Sequence, residues 1–65
     1  MNPTDMEMLT ALASFILKNK ITINSIVSTQ NYDYEIVTYF DEVVVLDEDD
    51  TTLLTVRKED VEEKT

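Results

Sequence analysis

The chain reads as a small α+β domain: an N-terminal amphipathic helix followed by a strongly bent antiparallel sheet of four to five strands. Three observations predict this. Apolar residues recur with helical spacing over residues 5–18, and from Ile21 the period changes to two with a rise in β-branched residues. The hydrophobic runs after that point are short and separated by polar, acidic corners, as in a meander of hairpins.

The helix comes first. Thr4-Asp5-Met6-Glu7 has the form of a capping box, with Thr4 as the expected N-cap and Glu7 reaching back to it. At about 100° per residue, Met8, Leu9, Leu12, Ala13, Phe15 and Ile16 share one side, while Glu7, Thr10, Ser14 and Lys18 share the other. Asn19 is the expected C-cap, and Lys18 and Lys20 suit the negative end of the helix dipole. The apolar arc is wider than one small sheet covers, so Met8 and Phe15 are expected at a contact with another subunit.

The strands follow. Ile21–Thr29 alternates at first and slips between Ser25 and Val27, which predicts a bulge or a strand buried on both faces. Gln30–Asp33 is a turn, Tyr34–Phe40 a second strand and Asp41-Glu42 a corner. Val43–Leu46 is a short buried strand, Asp47–Asp50 a turn and Thr51–Arg57 a further strand, and any final strand near Val61 is weak. With no glycine, the residues available for positive φ are Asn31, Asp33, Asp49 and Asp50. The expected core is Leu12, Ile16, Ile36, Phe40, Val45 and Leu54.

This order of elements resembles the bacterial Sm-like (Hfq) family and the wider group of small SH3-like barrels. The nearest likeness is Ile36-Val37-Thr38-Tyr39-Phe40-Asp41-Glu42-Val43-Val44-Val45-Leu46, where a strand ends in an aromatic–Asp corner and passes into a hydrophobic strand. Leu54–Val61 is similar to the family's later strand and the start of its last one. The resemblance implies an SH3/Sm-like barrel that self-associates, and as an alternative function a divergent RNA-binding protein. Glu35 or Ile36 stands where the family's bent strand has glycine, and Arg57-Lys58-Glu59 keeps only a lysine of its RNA-contacting segment.

Composition narrows the function. The 65 residues make one domain, 1–65, near the lower size limit for independent folding, so association is the expected source of extra stability. There is no cysteine and no histidine, hence no disulfide, no thiolate metal site and no imidazole base; neither a catalytic residue nor a cofactor is expected. The turn Asp47–Asp50 offers oxygen ligands, but an EF-hand loop begun there has Thr52 where glycine belongs and Lys58 where glutamate does. No signal peptide or membrane span is visible, so a cytoplasmic location is the expectation.

Charge decides the rest. Twelve of the fourteen acidic residues follow Asn31, against Arg57, Lys58 and Lys64, so that half carries the entire net charge of −9. Such a surface repels phosphate backbones and attracts cations. Nucleic acid is therefore disfavoured as a partner, and a protein with a basic surface is favoured. The expected contact residues are Asp41, Glu42, Asp47, Glu48, Asp49 and Asp50, acting in the sharper form of this reading as a nucleic-acid mimic.

Overall fold

The structure is a computed structural model that describes residues 1–61. Helix α1 spans Pro3–Lys18, and strands β1 (Asn24–Ser28), β2 (Asp33–Thr38), β3 (Glu42–Leu46) and β4 (Thr52–Arg57) follow, ending in a single turn of helix α2 (Lys58–Val61). The strands form one antiparallel sheet in the order β1-β2-β3-β4. The α+β arrangement is thus as expected, with four strands among the described residues. The sheet is open, with β1 and β4 at its edges, and does not close into a barrel. Where a weak final strand was expected to begin, Val61 ends α2; residues 62–65 lie outside the described residues.

Helix α1 begins two residues before the expected start. Asn2, not Thr4, is the N-cap: its Oδ1 accepts from the Asp5 N–H at 2.7 Å. Pro3 explains the shift, because its fixed φ suits the first helical position and its missing N–H removes one unpaired donor. At the other end Asn19 is the C-cap as expected, and Lys20 takes the left-handed conformation at φ 55. The Lys20 N–H donates to Leu17 O (3.3 Å) and the Ile21 N–H to Ile16 O (3.0 Å). This is a Schellman termination with lysine at the position that glycine usually fills.

Leu9, Ala13 and Ile16 recur along the buried stripe of α1 and meet Tyr34, Ile36, Val43, Val45 and Val56 from the facing side of the sheet. Register explains the selection: Ile36 pairs with Val45 and Val45 with Leu54, while Val43 pairs with Val56, so these side chains share one face. Of the expected core, Ile16, Ile36 and Val45 are buried, and Leu12 and Leu54 pack at its margin. Phe40 is a correction. It is 94% exposed, because β2 stops at Thr38 and the Tyr39 N–H donates to Glu42 O at 2.8 Å, leaving Phe40-Asp41 as the tip of a hairpin. The period-two pattern that assigned Phe40 to the core runs past the end of the strand.

Neither bulging nor double burial explains the slip in the first strand. β1 pairs with β2 in unbroken register from Asn24↔Val37 to Ser28↔Asp33, and Ile26 stands on the outer face, 67% exposed. The bulge lies instead between β3 and β4, where Leu53 is the extra residue between the pairs Val45↔Leu54 and Leu46↔Thr52.

Candidate acidic site

The sheet topology separates the two acidic segments that the sequence suggested as one surface. Asp41 and Glu42 sit at the β2–β3 turn and Asp47–Asp50 at the β3–β4 turn. These turns are at opposite ends of β3, a five-residue strand, and so roughly 15–20 Å apart at about 3.3 Å per residue. Asp41 and Glu42 share their end with Arg57, Lys58 and Glu59 around a shallow hollow. There the Asp41 carbonyl accepts from the Lys58 N–H at 2.8 Å, and Arg57 Nη1 lies 4.0 Å from Glu59 Oε1. Charges at this end are mixed, so Asp41 and Glu42 do not extend the acidic field.

The other end is acidic: no lysine or arginine is among the residues that line it, and Met1 stands at its edge. Asp33, Asp47, Glu48 and Asp49 border a hollow of about 350 Å³ whose apolar wall includes Tyr32 and Leu53. The tip is built by Asp47, whose Oδ1 accepts from the Asp49 N–H (2.8 Å) and the Thr51 N–H (2.9 Å). Asp50 completes the reversal at φ 61, one of the positions the sequence offered in place of glycine. Asp47 is therefore a turn-former whose carboxylate is already engaged, whereas Glu48, Asp49 and Asp50 are held outward on the frame it makes.

Tyr32 and Tyr34 join this end from the β1–β2 side, their rings 6.1 Å apart and tilted by 42°. Tyr32 is exposed; Tyr34 is buried and its hydroxyl donates to Asp5 Oδ2 at 2.6 Å. That hydrogen bond, reinforced by burial and by the nearby Asp5 charge, pushes the Tyr34 phenol up to about 12. Tyr34 thus serves as a fixed floor for the site. The sequence does not announce the Asp5–Tyr34 contact, since nothing local in either segment signals a contact between residues 29 positions apart.

Met8 and Phe15 lie on the outward side of α1 and are exposed, Phe15 to 56%. Among the described residues, no group of three or more acidic side chains is placed to hold a metal ion, and no helix is long and apolar enough to cross a membrane. Comparison with family models, curated proteins and solved structures finds no match to this chain.

Proposed function

We propose that the chain is a non-catalytic interaction module whose acidic end binds a cationic segment of another protein. One observation carries the reading: Asp33, Asp47, Glu48 and Asp49 ring a hollow with Tyr32 and Leu53 in its wall. A lysine or arginine side chain has the matching anatomy, an aliphatic stem for Leu53 and a charged head for the carboxylates, with an exposed tyrosine ring to stack on. Open carboxylates spaced along a hairpin also present charge much as a phosphate backbone does, which supports a nucleic-acid mimic as the sharper form.

The experiment is affinity capture from the source cells with the wild-type chain and with an Asp33→Asn/Glu48→Gln/Asp49→Asn variant, at low and high salt. A basic protein retained by the wild type and lost by the variant is the expected result. A second reading has its own observation. Tyr39 and Phe40 are exposed at the opposite end, with the Lys58 ammonium 5.8 Å from the Phe40 ring centre. Aromatic faces beside a cation suit the stacking of single-stranded bases. RNA recovered equally by both proteins would move the function to that end and to the RNA-binding alternative.

A further inference from the structure

Strand β1 is the least protected edge of the sheet. The Thr38 N–H donates to Ile23 O and the Thr29 N–H to Tyr32 O, at the two ends of an unbroken β1–β2 register. Alternation between those bonds directs the backbone groups of Ile23, Ser25, Val27 and Thr29 at β2. Asn24, Ile26 and Ser28 consequently point their N–H and C=O groups away from the sheet. Helix α1 lies over β3 and β4, and Asn24, Ser25, Ile26 and Ser28 are all exposed.

Natural sheets blunt such edges with charge, proline, a bulge or a covering element. The β4 edge has a bulge and runs directly into α2. The β1 edge has none of these. From Ile21 to Tyr32 the chain carries no charged residue and no proline, although 29% of its residues are charged.

We propose that β1 pairs antiparallel with β1 of a second copy, about a two-fold axis through Ile26, joining two four-stranded sheets into one. Three features select a second copy as the occupant. The register is self-complementary: centred on Ile26, it sets Ile26 opposite itself and Asn24 opposite Ser28, so every outward N–H and C=O finds a partner. The exposed Ile26 side chain then meets its own copy on the outer face. The strand itself also carries no charge: each copy bears −9, so like copies meet most cheaply along an uncharged backbone edge. Glu35, opposite Ile26 in β2, and Asp33, Asp47, Glu48 and Asp50 border the same hollow as Ile26, so salt that screens these carboxylates should strengthen the contact. Finally, antiparallel pairing brings Lys20, which precedes one β1, toward Asp33, which follows the other. The contact is short, so the dimer is a weak, concentration-dependent one. It does not rest on the partner reading above, because the pairing is made by the β1 backbone; Asp33 belongs to both surfaces, and Ile26 borders a hollow with Asp47, Glu48 and Asp50, so the variants that test the dimer are made at Ile26 alone.

The test uses the full chain in sedimentation equilibrium over a wide concentration range, with site-resolved hydrogen exchange by NMR. Wild type should pass from monomer to dimer, and the amides of Asn24, Ile26 and Ser28 should exchange more slowly as concentration rises. Those of Ser25 and Val27 should be protected throughout. Ile26→Pro removes only an outward N–H, which a monomeric edge strand tolerates; it should keep the native circular dichroism and dimerise at least tenfold more weakly. If that variant misfolds, Ile26→Glu replaces it by setting two like charges across the axis beside Glu35 and the neighbouring carboxylates, with the same expected loss. A wild type that stays monomeric at every concentration overturns the proposal. So does a dimer that survives the Ile26 variants and is lost in Phe15→Glu, which would place the contact on α1.

Discussion

Tyr34 and Asp5 make the one buried side-chain hydrogen bond that joins the helix to the sheet in the described structure, and its chemistry sets a pH limit on the fold. The phenol is raised from 10.0 to about 12 in the folded state, so an unfolded chain gives up this proton first. The stabilisation is fully present below pH 10 and is lost as pH rises toward 12. Urea melts of the wild type should therefore show falling stability across that window. Tyr34→Phe should flatten the fall and lower Tm by several degrees at neutral pH, because the buried Asp5 carboxylate loses its donor. An unchanged alkaline profile in Tyr34→Phe would show that the bond does not persist in solution. Phe40 stands at the other extreme. With its ring exposed at a hairpin tip, Phe40→Ala should change stability by no more than about 0.5 kcal/mol. A loss of ~2 kcal/mol or more in a denaturant melt would place Phe40 in a packed environment instead.

At the scale of elements, what was legible in the sequence follows from how local its cause is. The helix stripe, the hairpin at Asp47–Asp50 and the burial of Ile36 and Val45 each rest on spacing within one segment, and each is present. The N-cap was misread because Thr4 and Asn2 are both competent caps, and the choice between them is made by Pro3. Phe40 was misplaced because a period-two pattern does not mark where its strand stops. The Asp5–Tyr34 contact and the division of the acidic residues depend on how distant segments meet, so no local pattern announces them. The helix ends give two further predictions. Asn2→Ala should cost about 1 kcal/mol by unpairing the Asp5 N–H. Lys20→Gly should instead stabilise by up to about 1 kcal/mol, since glycine adopts positive φ without the steric penalty that lysine bears. Thermal melts of both variants check these, and a destabilised Lys20→Gly would mean that the Lys20 side chain contributes more than its backbone strain costs.

Across the whole molecule, charge is distributed along the strand direction. Lys18, Lys20, Arg57 and Lys58 belong to one end, mixed there with Asp41, Glu42 and Glu59, while Asp33 and Asp47–Asp50 occupy the other. On the proposed reading, the acidic end would orient an approaching cationic protein as well as attract it, with its effect mainly on the association rate. The turn geometry assigns its carboxylates different roles. Asp47→Ala removes the acceptor for the Asp49 and Thr51 N–H groups, and should destabilise the fold by about 1 kcal/mol. Glu48→Gln with Asp49→Asn leaves those bonds intact and lowers self-repulsion. It should melt at or slightly above the wild-type temperature, with the gain shrinking as salt screens charges over ~8–10 Å. The same double variant should bind the cationic partner more slowly in stopped-flow mixing, with little change in dissociation. If it is stabilised and yet associates at the wild-type rate, the carboxylates at this tip act only in solubility, and recognition lies elsewhere on the surface.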